Sequence, residues 1–286
     1  MATIRQMKGG DEIGAEAAWD RAYRKLLEEQ HLPVLPRTPE AIVHGQRRMG
    51  HLLSTDPGGS WVAESNGEIA GVAQAHIRGH TWVLATLGVV AERQDVGLGR
   101  QLLDQALAYG DPDSPGAIFS SPDPRAIYRY ISAGFAIHPT AAAYGAVRKP
   151  VYRQDSVREG SLIDMEIVND VDTEVRGSGR GSDVEFQLSL GYQLLIDEEG
   201  GYAIIRRGRV AMLSALNEDI ATRLLLDAVS RCPENDPVDV SWMTSRQQWA
   251  LRTLALAGVS IHVHESIMTR GSWEPRPPYL PNGIFG

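Results

Sequence analysis

The stretch that most constrains this chain is Gln94-Asp95-Val96-Gly97-Leu98-Gly99-Arg100, set between the apolar run 82–90 and a helical segment over 102–109. A strand that breaks into a glycine-bearing loop and at once opens a helix fits an alternating α/β layout. It also makes an anion site. The loop's N–H groups converge without side chains in the way, and the helix dipole adds partial positive charge. Gly97 and Gly99 permit close backbone approach and unusual φ values. Read this way the loop holds a pyrophosphate; the alternative is an ordinary strand-to-helix turn.

Elimination narrows the kind of pyrophosphate. A dinucleotide fingerprint needs a third glycine where this chain has Leu102. A Walker-type loop ends in Gly-Lys-Ser/Thr, whereas Gly99 is followed by Arg100 and Gln101. What remains is Gln-x-x-Gly-x-Gly preceded by Leu87-Gly88-Val89. A second motif, Ala126-Ile127-Tyr128-Arg129-Tyr130-Ile131-Ser132-Ala133-Gly134-Phe135, reads as a short helix stopped at Gly134. In these two motifs, joined by a helix and a short strand over 117–121, the chain resembles the GNAT superfamily of N-acetyltransferases. The resemblance covers residues 3 to about 148.

The resemblance implies an α/β fold with a mixed, mostly antiparallel sheet flanked by helices, and acetyl-coenzyme A as co-substrate. Carried over residue by residue, it assigns cofactor binding to Leu87, Val89, Gln94, Asp95, Val96, Gly97, Leu98, Gly99 and Arg100. Amides from Asp95 to Arg100 would hold the pyrophosphate, and main-chain groups from Leu87 to Val90 would meet the pantetheine arm like an added strand. A backbone N–H near Val89 would polarise the thioester carbonyl. Tyr130 becomes the general acid, because a neutral phenol can protonate a departing thiolate; the alternative is that it only packs. Tyr128, on the same helix, does not match the motif and is assigned to packing. Many relatives use a glutamate on the strand before the loop, but residues 82–90 contain no ionisable side chain. Glu64, His76, His80 or a water relay are the alternatives, and the base stays unassigned.

At 286 residues the chain is long enough for two cores. No apolar run reaches bilayer length and no signal-peptide order opens the chain, so a cytoplasmic protein without a membrane partner is expected. Cys232 is the only cysteine, which excludes an intrachain disulfide or a cysteine zinc cluster, and no metal is expected. The net charge of −8, from 28 basic and 36 acidic side chains, argues weakly against nucleic acid and mildly for a cationic acceptor such as an amine; the alternative, and the stronger one, is that charge of this size only serves solubility.

Along the first half, strands are expected over 3–7, 60–64 and 69–77, helices over about 13–29 and 40–53, and two closing strands after Phe135. Asn66-Gly67 marks a hairpin. The second half repeats the first: Ala257-Gly258-Val259-Ser260-Ile261-His262 lines up with Ala133-Gly134-Phe135-Ala136-Ile137-His138, and Leu225-Leu226-Asp227 with Leu102-Leu103-Asp104, at nearly the same offset. The chemistry does not repeat. Ala215-Leu216-Asn217-Glu218-Asp219 has no glycine, and Leu254 stands at the position of Tyr130.

The expected organisation is therefore two tandem GNAT-like domains, 1–150 catalytic and 151–286 degenerate. In the second, residues 161–171 read as its first strand or helix, and the glycine-rich run 175–183 as a loop breaking regular structure. His262 and His264 share a strand face but lack a third ligand and read as surface residues. The tail 275–286 either covers the substrate cleft of the first domain or packs within its own domain. The function expected is acetyl transfer to a primary amine of a small polar molecule by direct attack in a ternary complex. The second domain would shape the acceptor pocket or support a homodimer. The alternative is an acyl-coenzyme A-binding sensor or scaffold without turnover.

Overall fold

In the computed structural model, which describes residues 2–34, 36–94, 97–273 and 278–286 (His264 without its side chain), the chain opens with β1 (Thr3–Gln6). Two helices follow, α1 (Glu12–Glu29) and α2 (Pro39–Thr55). The second starts where it does because Thr38 accepts from the Ala41 N–H and Pro39 supplies a preset φ. β2 (Ser60–Ser65) and β3 (Glu68–Arg78) are antiparallel, with Ser65 opposite Glu68. Between them Asn66 and Gly67 both take positive φ, 55° and 79°, as a mirror-image two-residue turn requires.

The turn Gly79-His80 leads into β4 (Thr81–Val89), then α3 (Leu98–Ala108) and β5 (Gly116–Ser120). The chain divides into two compact units, residues 1–77 with 81–118, and 78–80 with 119–286. In the first, strands run in the order β1-β2-β3-β4-β5. β1 is antiparallel to β2, and β4 is parallel to β5 from Trp82↔Gly116 to Leu84↔Ile118. Its core joins Met7, Ala15, Met49, Val62 and Val72, with Trp19 packed against them. α3 starts at Leu98, four residues before the expected helix, and buries Leu98, Leu102, Leu103 and Ala106.

In the second unit come α4 (Pro124–Ser132), β6 (Ala136–Gly145), β7 (Val157–Gly160), α5 (Met165–Arg176) and α6 (Gly181–Ser189). They are followed by β8 (Gln193–Asp197), β9 (Gly201–Arg206), β10 (Arg209–Ala215), α7 (Glu218–Ser230) and β11 (Val238–Met243). The unit ends with α8 (Gln248–Leu256), β12 (Ile261–Arg270) and β13 (Tyr279–Leu280). The strand order is β12-β6-β11-β10-β9-β8-β7, with β13 on β10. β8, β9 and β10 are antiparallel, and β11 is parallel to β10 at Arg209↔Asp239. The expected repeat is thus visible in the topology: an antiparallel run, a helix, then a parallel strand.

Three details differ from expectation. One strand, β6, replaces the two expected after Phe135; it is held on both flanks by β11 and β12, and beyond Gly145 the chain turns off, with Pro150 unable to donate to a ladder. The first strand of the second half is β7, ahead of residues 161–171, which form a 3₁₀ turn and most of α5. Glycine-rich 175–183 is a break only over 177–180; Gly181, Ser182 and Asp183 open α6.

Trp82 fixes α3 on β4. It is fully buried, and its Nε1 donates to the Ala106 carbonyl at 3.0 Å. Trp82→Ala removes the packing and orphans that carbonyl, so it should destabilise the protein by about 3–5 kcal/mol. A urea unfolding titration would read this as a lower midpoint.

Candidate active site

β4 delivers Leu87 and Gly88 half-buried and Val89 buried to the mouth of the loop. A single 3₁₀ turn over 91–93 reverses the chain. Gln94 then reaches back, its Nε2 donating to the Val89 carbonyl at 3.0 Å. That bond ties the loop to the strand end and gives the glutamine of the motif a specific task. Asp95 and Val96 lie outside the described residues. Gly97 sits at the N-cap of α3 with φ of 80°. Among the described residues a Cβ there would meet only the Gln101 side chain, at 3.8 Å. Backbone conformation, not space, is what demands glycine at this point.

Behind Gly97 the first turn of α3 carries no acidic residue and, among the described residues, no side-chain cap. Its leading N–H groups are those a helix leaves without intrahelical partners. Leu98 and Gly99 are buried, while the Arg100 side chain is exposed, 3.8 Å from Asp104. On β4, the hydroxyl of buried Thr86 has no hydrogen-bond partner among the described residues. An open helix start, a left-handed glycine and an unsatisfied buried hydroxyl on the adjoining strand fit a bound diphosphate with an attached amide-bearing arm.

The matching place in the second half is closed. Between β10 and α7 only Leu216 and Asn217 intervene, against residues 90–97 in the first half. Asn217 caps its own helix, its Oδ1 accepting from the Ile220 N–H at 3.0 Å. Glu218 and Asp219 occupy the first turn. The carboxylates already complement the helix dipole and would repel an added phosphate. Leu254, at the position of Tyr130, is fully buried on α8.

Tyr130 lies near the end of α4, which Asp123 caps through the Arg125 N–H and Pro124 starts. The helix ends in a Schellman motif: the Phe135 N–H donates to the Tyr130 carbonyl and the Gly134 N–H to the Ile131 carbonyl, both at 3.0 Å. The Tyr130 ring is thereby held in the buried layer of the second unit. Burial pushes its phenol well up, the charge of Asp123 adds to this and Arg129 opposes it, so the group keeps its proton through neutral pH. Tyr128, assigned to packing from the sequence, is instead 73% exposed.

Among the base alternatives, Glu64 is occupied as an ion-pair partner of Arg5 at 2.7 Å, His76 is fully buried on β3, and His80 is exposed in its turn. His262 is exposed and the side chain of His264 lies outside the described residues. Burial, then Asp236, pushes the Cys232 thiol up, away from the thiolate form that a nucleophile needs. No group of residues able to hold a metal occurs among those described. No helix there is long and apolar enough to cross a membrane.

The sequence reading passed over Glu265, on the same strand as the two histidines. Burial and then Asp239 push its carboxyl up to about 7, with Arg209 opposing. The strand slips register between Val263 and Ser266, which breaks the alternation that would otherwise forecast which face a side chain takes. Because the folded-state value is raised, Glu265 favours the fold at low pH, and that contribution is lost as pH rises from about 4.5 through about 7. Glu265→Gln should remove a loss on the order of 3 kcal/mol across this window. Urea titrations of both proteins at the two ends of the window would measure it.

Residues 19–135 match the acetyltransferase (GNAT) family. No curated protein sequence matches the chain. A protein of Pyrococcus horikoshii classed provisionally as an acetyltransferase has a TM-score of 0.80 at 19% identity, covering 100% of this chain and 96% of its own. A GCN5-related N-acetyltransferase from Sphaerobacter thermophilus has a TM-score of 0.57 at 13% identity, over 100% of this chain and 98% of that one. A tandem GNAT protein from the clavulanic acid biosynthesis pathway has a TM-score of 0.58 at 15% identity, over 94% and 98%. These likenesses extend the fold beyond the matched family region to the whole chain. The GNAT acetyltransferase family model thus matches residues 19–135, and over its full length the chain has the fold of the tandem GNAT proteins.

Proposed function

We propose that this chain is an acetyl-coenzyme A-dependent N-acetyltransferase, with a catalytic domain over 1–150 and a GNAT-like domain over 151–286 that has lost its cofactor site. The contrast between the two helix starts carries the reading. α3 opens behind a left-handed Gly97 with no side-chain cap among the described residues, whereas α7 is closed by Asn217, Glu218 and Asp219. In the first, N–H groups of Gly97, Leu98, Gly99 and Arg100 would hold the pyrophosphate, with Asp95 and Val96 completing the loop that Gln94 braces. Leu87 and Val89 would offer main-chain groups to the pantetheine arm.

Bound acetyl-coenzyme A supplies an acyl group activated as a thioester. The main chain near Val89 would donate to the carbonyl oxygen as negative charge develops there. The acceptor nitrogen forms its bond to the acyl carbon while the carbon–sulfur bond breaks, and Tyr130 gives its proton to the departing sulfur. The proton lost by the amine passes to water or to a side chain outside β4, which has no ionisable residue. Direct attack places most of the demand on positioning, which suits a rigid strand and a braced loop.

The acidic balance of the chain supports a cationic acceptor, and a primary amine on a small polar molecule is the class we assign. The missing β4 carboxylate, together with Glu64 held by Arg5, favours one other reading, an acyl-coenzyme A sensor without turnover.

Calorimetric titration with acetyl-coenzyme A should give one site per chain, and Gly97→Val should abolish it, since a β-branched residue does not accept that φ. Two sites would overturn the single-site reading, and no binding by the folded chain would overturn the function. Tyr130→Phe should bind acetyl-coenzyme A unchanged yet lower turnover on an amine panel by about a hundredfold. Binding without transfer by the unaltered chain on every amine would favour the sensor.

A further inference from the structure

Residues 278–286 are built into the second unit. β13 pairs antiparallel with β10, Leu280 opposite Leu213 and Tyr279 opposite Ser214. The Ala215 N–H donates to the Pro278 carbonyl at 3.4 Å. Asn282 Nδ2 donates to the Ala211 carbonyl at 3.1 Å, while its Oδ1 accepts from the N–H groups of Ile284 and Phe285. On the other flank β13 lies near β11. Gly283 sits so close to Trp242 that a Cβ would come within 2.7 Å of the indole nitrogen. Underneath, the Tyr279 hydroxyl accepts from Arg176 at 3.1 Å and from fully buried Arg180 at 2.8 Å.

The segment fills a fork between parallel strands. β10 and β11 pair at Arg209↔Asp239, and further along β10 the tail takes up the free edge. The corresponding strands of the first unit are β4 and β5. Their ladder ends at Leu84↔Ile118 while β4 runs on to Val89, and that further run of β4 is where an extended amide-bearing arm would add itself as a strand.

We propose that residues 278–286 are the built-in occupant of the second half's cofactor-type cleft, an extended peptide standing on β10 where a pantetheine arm would stand on β4. The proposal rests on the acetyltransferase reading of the first half. The likeness is chemical as well as positional. Both chains are narrow and extended, carry amide donors and acceptors at intervals, and can satisfy a strand edge that would otherwise be left without partners. The cleft is accordingly a latent site for a pantetheine-like chain, held shut by Asn282, Gly283 and Tyr279.

Hydrogen exchange on the full chain tests this, because two neighbouring amides report differently. The Ala215 N–H bonds to the tail, whereas the Leu216 N–H bonds to the Gly200 carbonyl at 2.9 Å. Gly283→Leu, which drives a side chain into Trp242, and Asn282→Ala, which removes the tail's side-chain bonds, should each speed exchange at Ala215 about tenfold and leave Leu216 unchanged. Free pantetheine should then slow Ala215 in both variants and not in the unaltered chain. Unchanged Ala215 exchange in the variants, slowing by pantetheine in the unaltered chain, or no slowing in the variants would each overturn the proposal. If Gly283→Leu unfolds the unit, the smaller Asn282→Ala carries the test. Slowing of the amides from Gly97 to Arg100 by acetyl-coenzyme A is read in the same experiment. Its absence would sink the acetyltransferase reading, a failure separate from that of the tail's seat.

Discussion

A helix that starts directly after a strand leaves its first N–H groups without partners, and each half of this chain must dispose of them. In the first half Gly97 turns the chain through a left-handed conformation, and among the described residues no side chain caps the helix. The second half closes them with Asn217 and adds two carboxylates to the first turn. Everything assigned to ligand binding follows from that difference. Residues 90–97 intervene only between β4 and α3, and Gln94 ties them to the strand end through the Val89 carbonyl. A helix already satisfied needs no loop, and there the chain passes from strand to helix through Leu216 and Asn217 alone.

The second unit is organised around a different constraint, the burial of a charge. Arg180 is fully inside, and its burial opposes the cation, but Asp172 beside it, with Tyr202 and Tyr279, more than offsets this and holds it charged. Its Nε donates to Asp172 at 2.8 Å, and Tyr202 and Ser214 also donate to the same carboxylate, at 2.8 and 2.9 Å. Such a network is stable only when every member is satisfied, since a half-satisfied buried ion costs more than an apolar core. Tyr279 is one of its members, and Arg180 also donates to the Gly286 carbonyl. The tail is therefore bound from both sides, by ladder bonds on β10 and by the buried guanidinium beneath.

What was legible in the sequence is what local chemistry decides. Asn66-Gly67 specifies its turn, Gly97 its left-handed step and Gly134 its helix stop, because each depends on residues within a few positions. The first-half strands and helices were readable for the same reason. Pairings between distant strands were not. Nothing local in Ala136–Gly145 announces that it will lie between β11 and β12, and two closing strands were expected where one stands. Glu265 was missed because a register slip hides its burial, while its histidine neighbours drew notice by residue type alone. The motif separates Tyr130 from Tyr128, but that Tyr130 is buried and Tyr128 exposed follows only once the buried face of α4 is known. The role of Gln94 as a brace is a contact to a carbonyl, which no motif records.

The repeat and its divergence share one physical logic. A parallel strand pair that separates along its length exposes the edge of the longer strand, and an exposed edge must be paired, covered or charged. The two halves present the same fork, since both follow an antiparallel run, a helix and a parallel strand. In the second, the edge of β10 is paired by the chain's own tail and the helix start beside it is capped by the chain's own side chain. In the first, β4 and α3 keep the polar groups that such covering would have consumed: the Thr86 hydroxyl, the run of main chain to Val89 and the N–H groups behind Gly97. A duplicated plan becomes asymmetric when one copy satisfies its own edge with its tail and its own helix start with a side chain, as the second does here.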